Sequence, residues 1–297
     1  MLKWHYHYAG LRISSELELP EWETFRQPAP DDIPDVIFRY GSAETQGLSP
    51  DMIVGPDECR FSAPDVGIYH VIQGREIVVS PYPGAGLNEI RLFLLGSGWG
   101  AICYQRGLFA LHASAVRVGQ DAVLFCANPG GGKSTITAFL AARGHAVISD
   151  DLCCIEMATP IPEIYPSARR LRLWQDALDA LGWNNSALQR DHFRMDKFHL
   201  PWEGEPVLSP VPIKGIYLLE WGDFTITRLT GMNALRGFIA AATYRGELLD
   251  QMGLSASYWQ RCLDLVKTVP VWRLQRRKNF AEIIPLAESL ERHWAGD

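Results

Sequence analysis

Residues 127–135 read Ala127-Asn128-Pro129-Gly130-Gly131-Gly132-Lys133-Ser134-Thr135, and the pair Asp150-Asp151 follows sixteen residues after Ser134. No other stretch restricts the fold so much. A glycine run lets backbone N–H groups converge on one point, because no Cβ stands between them and an anion. The apolar run Ala122-Val123-Leu124-Phe125-Cys126 predicts a strand just before the loop, and Ile136 to Arg143 predicts a helix just after it. In that strand–loop–helix context the loop cradles phosphate, and the helix dipole adds to the attraction. Ala127 takes the place of the usual first glycine of a P-loop. Asn128, Pro129, Gly130, Gly131, Gly132, Lys133, Ser134 and Thr135 are therefore the expected nucleotide-binding residues, with ATP and Mg²⁺ as the ligands. Lys133 would reach the terminal phosphates, and the Ser134 hydroxyl would join the coordination of Mg²⁺.

The spacing to the carboxylates carries the next step. Arg143-Gly144 ends the helix, and Ala146-Val147-Ile148 returns as a short strand. A right-handed crossover makes that strand parallel to the first, so its C-terminal end and the Asp pair lie on the loop's edge of the sheet. One carboxylate would help hold Mg²⁺ and the other would take a proton from an attacking hydroxyl. Upstream, Leu111 to Val118 alternates as a strand, and Gly119-Gln120 makes a two-residue hairpin turn into the loop strand. That hairpin sets His112 opposite Ala127, beside the phosphates, where it would donate to a phosphate oxygen or orient a carboxylate.

Together these residues resemble the HPr serine kinase family, whose core is related to the ATP-dependent phosphoenolpyruvate carboxykinases. The resemblance runs through Leu111-His112-Ala113-Ser114-Ala115-Val116, the P-loop, and Arg143-Gly144-His145-Ala146-Val147-Ile148-Ser149-Asp150-Asp151, and more weakly to the C-terminus. It implies an α/β fold with a P-loop kinase core at 107–297 and an N-terminal β-rich domain at 1–106. It also implies that Asp150 is the general base on a serine hydroxyl, that Asp151 lies with Ser134 around Mg²⁺, and that His112 contacts the phosphate. Asp150, His112 and Lys133 form the expected catalytic set.

The chain departs from the resembled family where a glycine-containing Glu-x-Arg-Gly-Leu-Gly segment accompanies phosphate removal. Here the region reads Ser167-Ala168-Arg169-Arg170-Leu171-Arg172-Leu173-Trp174-Gln175-Asp176, without glycine. The pattern looks more like divergent stand-alone relatives, some of which accompany lasso-peptide and other peptide-modification pathways and phosphorylate a peptide serine. The expected reaction is thus forward transfer from ATP to a serine of a peptide or small protein, with little phosphorolysis. Arg169, Arg170, Arg172 and Lys197 are the candidate acceptor-binding residues, and Arg194 lies in the same polar stretch. Two alternatives remain at this point: a small-molecule kinase of shikimate-kinase style, and a non-catalytic nucleotide-sensing module.

Composition narrows the surroundings. The 297 residues suggest two modest domains, and 47% apolar content supplies two cores. A net charge of −6 argues against nucleic acid as partner, and no run approaches the roughly eighteen apolar residues of a membrane span. The six cysteines show no metal spacing and read as reduced packing residues of a cytoplasmic protein, a homo-oligomer being compatible. Before residue 106, Asp35–Tyr40, Gly67–Ile72 and Arg75–Ser80 are strand-like, and Leu87 to Tyr104 is helical but interrupted by Gly96, Gly98 and Gly100. This domain is expected to dock by that helix. Beyond the Asp pair, helices are expected at Trp174–Gly182, Met232–Tyr244, Leu248–Val266 and Phe280–Trp294, with strands at Ile213–Trp221 and Thr225–Leu229. Arg273, Arg276, Arg277 and Lys278 read as a solvated run.

Overall fold

The computed structural model describes residues 2–41, 52–168, 170–192, 195–202 and 204–296. The chain is mixed α/β with several sheets. Contacts divide it into two units, one of residues 1–110 with 245–258, the other of residues 111–244 with 259–297.

The first unit is a seven-stranded sheet built from β1 (Trp4–Tyr8), β2 (Leu11–Ser15), β3 (Val36–Tyr40), β4 (Ile53–Val54), β5 (Glu58–Ala63), β6 (Gly67–Ile72) and β7 (Glu76–Pro81). The order is β1-β2-β3-β7-β6-β5-β4, with β2–β3 and β3–β7 parallel and the other pairs antiparallel. The expected interrupted helix is a continuous helical run: α1 (Leu87–Phe93), a π turn at Leu94–Gly98, and α2 (Trp99–Gln105). The glycines widen one turn without ending the helix. Trp99 buries against Tyr8, Trp22 and Phe38 with ring centroids 5.3–6.4 Å apart.

The second unit begins with the hairpin of β8 (Phe109–Val118) and β9 (Asp121–Cys126), paired antiparallel from Ala113–Cys126 to Val118–Asp121. The glycine-rich loop follows, then α3 (Lys133–Ala142), β10 (Val147–Glu156) and β11 (Glu163–Ile164). Next come β12 (Arg170–Trp174), α4 (Gln175–Ala180), β13 (Gln189–His192) and β14 (Met195–Pro201). The chain continues through β15 (Val211–Trp221), β16 (Thr225–Leu229), α5 (Gly231–Ala242), α6 (Gly246–Gln251) and α7 (Ser255–Thr268), of which residues 245–258 belong to the first unit, and then β17 (Val271–Arg276) and α8 (Ile283–Ala295). The main sheet runs β11-β10-β8-β9-β15-β17-β16, with β9, β15 and β17 parallel, and a small sheet runs β12-β14-β13.

β10 differs from expectation in an instructive way. It continues ten residues, so the Asp pair sits in mid-strand and not at its end. β8 lies between β9 and β10, so the two strands flanking α3 are not neighbours. Three further differences follow from local breakers and from long-range pairing. The single helix expected at 248–266 is divided into α6 and α7, with Gly253 at φ +71° between them. β17 falls in a stretch for which no strand was expected, and β13 and β14 pair with β12 where the stretch holding Lys197 was expected as a polar loop. All six cysteines are buried and free, in line with packing residues.

α3 is packed on two sides. Ile136, Phe139 and Leu140 join Phe125, Tyr217, Leu274, Leu286, Leu290 and Trp294 in a core shared with α8. Ala138 and Ala141 meet Leu171, Leu173, Leu178 and Phe198 from the small sheet and α4. A charged clasp closes the end of α3: Arg143 Nη2 and Nε bond Glu291 on α8 at 2.6 and 2.9 Å, and His145 Nε2 lies 3.1 Å from the same carboxylate.

Those partners, Arg143 first, hold the Glu291 carboxyl down at about 2, against its ordinary 4.5. A depressed carboxyl stabilises the fold above its unfolded pKa, and the contribution disappears as pH falls through the folded value. Because the pair is partly open to solvent, Glu291→Gln should cost only about 1 kcal/mol at neutral pH. Urea titrations should show that gap narrowing from pH 4.5 and closing near pH 2; a gap unchanged at acid pH would mean the clasp contributes through packing alone.

Candidate active site

The loop after β9 has the backbone its glycines permit. Gly130 and Gly132 both sit at φ +78°, a left-handed region open to glycine at little cost. Gly131 is needed for space: a Cβ there would lie 2.5 Å from the Ala127 Cβ and 2.9 Å from the Asn128 carbonyl oxygen. The turn is closed by the Gly131 N–H donating to Asn128 O at 2.9 Å. α3 then starts at Lys133, and its first-turn amides have no acceptor within the helix. Lys133 is buried, with its ammonium donating to Ala127 O at 2.8 Å. Burial lowers its pKa, while Cys126, Asp150 and Asp151 act to raise it.

Asp150 is where the elements meet. Its Oδ1 accepts from Ser134 Oγ on α3 at 2.9 Å and from Ser114 Oγ on β8 at 2.5 Å. Its Oδ2 accepts the Arg172 N–H from β12 at 3.0 Å. Asp151 takes the Arg172 guanidinium at 2.5 Å and has His112 Nδ1 3.5 Å from its Oδ1. Adjacent side chains of a regular strand point to opposite faces, yet both carboxylates bind the one residue Arg172. The reason is the backbone: Asp151 sits at φ +77°, which breaks the alternation and stores about 1–2 kcal/mol of strain.

His112 is oriented by the same bend. Its Nδ1 lies 3.2 Å from the Asp151 carbonyl oxygen, which can only accept, so Nδ1 carries the proton and Nε2 keeps its lone pair. Burial lowers the imidazole pKa against the opposing pull of Asp151, so the ring is neutral at neutral pH.

The structure therefore brings together His112, Lys133, Ser134, Asp150, Asp151 and Arg172. It pairs the Ser134 hydroxyl with Asp150, whereas the sequence reading placed Asp151 beside Ser134. Of the other acceptor-binding candidates, Arg170 bonds His199 Nδ1 at 3.2 Å, and Lys197 lies over the Trp174 ring at 5.8 Å. Lys197 is near enough to Lys133 to act on its pKa. Arg169 and Arg194 lie outside the described residues.

Two residues were missed. Ser114 lies two positions after His112 on one strand face, so alternation alone could have grouped them. Arg276 was assigned to a solvated run, but it is 8% exposed and its Nη2 donates to Gly131 O at 2.6 Å. The correction has a visible signal: Trp272, Leu274 and Arg276 share one face of β17, and Leu274 is fully buried.

Ser134 and Asp150 form a hydroxyl–carboxylate pair beside the loop. That donor set fits Mg²⁺, which takes one or two carboxylates and completes its shell with phosphate oxygens and water. Among the described residues no group of three or more His, Cys, Asp or Glu offers a separate metal cage.

No family model matches the chain, and no curated protein matches it. Among solved structures it is similar to the Hpr(Ser) kinase/phosphatase from Coxiella burnetii, at 9% identity and a TM-score of 0.33, covering 63% of this chain and 97% of that one. A likeness that low carries no functional argument, and the chemistry rests on the side chains. Among the described residues, no helix is long and apolar enough to cross a membrane.

The space behind Gly131 gives a direct test of the loop. On the expectation that the loop cradles the phosphates of Mg²⁺–ATP, Gly131→Ala should shift the Ala127 or Asn128 backbone and reduce that affinity at least about tenfold, roughly the loss of one or two charged hydrogen bonds. Calorimetric titration checks it, and parental affinity in the variant would show that the loop is not the phosphate cradle.

Proposed function

We propose that this protein is an ATP- and Mg²⁺-dependent phosphotransferase that passes the terminal phosphate to a serine hydroxyl of a peptide or small protein. The observation that carries the reading is the 2.9 Å hydrogen bond from Ser134 to Asp150, made beside a buried lysine at the head of α3. In this reading Gly130 to Thr135 hold the phosphates by backbone amides, and Lys133 moves from the Ala127 carbonyl to the terminal phosphate. Mg²⁺, when bound, neutralises charge on the phosphates. Ser134 and Asp150 hold it, with Asp150 orienting the serine lone pair.

Asp151 is the remaining carboxylate and takes the proton of the acceptor hydroxyl. Its left-handed backbone, the Arg172 guanidinium and the proton on His112 Nδ1 hold it in place. His112 acts on the acceptor through Asp151, whose carbonyl its Nδ1 proton holds. Arg172 stabilises charge that develops during transfer.

The acceptor reading draws on the small sheet. Arg170, Arg172 and Trp174 alternate on β12 with the buried Leu171 and Leu173, and Trp174 pairs across with Lys197. A basic face with an aromatic ring beside Asp150 and Asp151 suits an acidic segment flanking the serine. β12 is extended and already donates its Arg172 amide to Asp150, which leaves no glycine loop for inorganic phosphate; forward transfer is the expected direction.

Two substitutions separate the roles. Asp150→Asn should weaken Mg²⁺–ATP binding, because it removes half of the pair around the cation. Asp151→Asn should keep binding within about threefold and lower phosphotransfer by about a hundredfold or more, the usual scale for loss of a proton acceptor. Calorimetry and transfer of labelled phosphate to a serine peptide library read the two effects. The opposite pattern would make Asp150 the base and Asp151 the cation ligand, and ATP binding without transfer to any acceptor would leave a nucleotide-sensing module.

A further inference from the structure

Arg276 ends β17 with its side chain inside the second unit, and nothing in the proposed transfer uses it. Its Nη2 donates to Gly131 O, and its guanidinium lies 4.1 Å from the centre of the Trp221 ring. Nε is buried without a hydrogen-bond partner, and among the described residues no carboxylate lies within ion-pair distance of the guanidinium. The space beside Gly132 that a Cβ would fill is taken by Nη2, so the charge lies directly against the phosphate-type loop. Arg276 also lines a cleft of about 180 Å³ together with Phe224, Arg277, Asn279, Glu282 and Ser289. Burial draws its pKa down to about 10, and it is still charged at neutral pH. The neighbouring arginines differ from it: Arg273 bonds Glu220 and Arg277 bonds Asp223.

A buried guanidinium with one neutral acceptor, a ring face and an idle N–H is an incomplete arrangement. Stacking on Trp221 offsets part of the desolvation, and a single carbonyl does not neutralise the charge. An anion does both, because it accepts the free N–H and balances the charge.

We propose that Arg276 is a phosphate-binding residue of the nucleotide site, contacting the polyphosphate from the β17 side through the guanidinium that lies against Gly131 and Gly132. This rests on the reading of the loop as a nucleotide site and adds a second cation to Lys133. The rival role is a clasp that only fixes the Gly131 carbonyl. A neutral donor performs that role as well as a charged one.

The two roles separate by charge. Arg276→Gln keeps a donor for the carbonyl and removes the charge, whereas Arg276→Lys keeps the charge. Binding of Mg²⁺–ATP and of inorganic tripolyphosphate is measured by calorimetry across a range of salt. Arg276→Gln is expected to bind both at least about tenfold more weakly than the parent, a loss typical of a charged hydrogen bond. Its affinity should also vary less with salt, and Arg276→Lys should recover part of the affinity and the parent's salt dependence. Arg276→Gln binding within about twofold of the parent would overturn the proposal and leave the clasp. If Arg276→Gln fails to fold, Arg276→Lys decides: the parent's salt dependence supports the proposal, and a flatter one overturns it. A parent that binds neither ligand overturns this proposal together with the nucleotide reading, whereas a parent that binds both with an unaffected Arg276→Gln overturns this proposal alone.

Discussion

The second unit converges on one carboxylate. Asp150, in the middle of β10, receives a hydroxyl from β8, a hydroxyl from α3 and an amide from β12. Each bond to a charged acceptor contributes on the order of 1.5–3 kcal/mol before the cost of withdrawing the carboxylate from water. Geometry is the larger consequence, because three separate elements are set by the position of two oxygen atoms. α3 cannot rotate without losing Ser134, and β12 cannot slide without losing the Arg172 amide. The phosphate-type loop is thereby held against the strand that carries both carboxylates.

Packing makes that arrangement stiff. α3 meets the α8 core through Ile136, Phe139 and Leu140 and the small-sheet core through Ala138 and Ala141. Alanines on the second side let the helix lie close to Leu171 and Leu173, which brings the Arg172 amide within reach of Asp150. Burial on both sides also explains why apolar content, more than clean amphipathic alternation, marked this helix in the sequence.

Local signals were legible and long-range ones were not. The β8–β9 hairpin, its two-residue turn, the loop and α3 all follow from residue order, since each is specified by neighbours within about twenty positions. The length of β10 was hidden because Asp150-Asp151 interrupts the apolar run that would have announced a longer strand. β13 and β14 were hidden because cross-strand pairing, Leu173 with Phe198 among them, stabilises segments whose own composition is that of a loop. Proximity in sequence could not decide which Asp meets Ser134. That choice depends on the left-handed turn at Asp151, which an Asp adopts only where surrounding contacts enforce it. Arg276 failed for a related reason: composition groups it with Arg273 and Arg277, and only its face on β17 separates a buried charge from two solvated ones.

The charges around the loop have a common logic. Lys133 and Arg276 both have pKa values lowered by burial, and each rests on a backbone carbonyl of the loop, Ala127 and Gly131 respectively. A carbonyl accepts a hydrogen bond but supplies no opposite charge, so both cations are held by weaker partners than an anion would be. On the other side, Asp151 is paired with the Arg172 guanidinium, whereas Asp150 accepts from three neutral donors that supply no opposite charge. Lys133, Arg276 and Asp150 thus rest on neutral partners, and Asp151 alone of these four is matched by an opposite charge. In the proposed reading a polyphosphate would supply the counter-charge that both cations lack, and its oxygens would complete the shell of a metal held at Asp150. On that reading the metal–nucleotide complex would be favoured over either component alone, and the side chains that fix the fold would also set the order in which the ligand's charges are met.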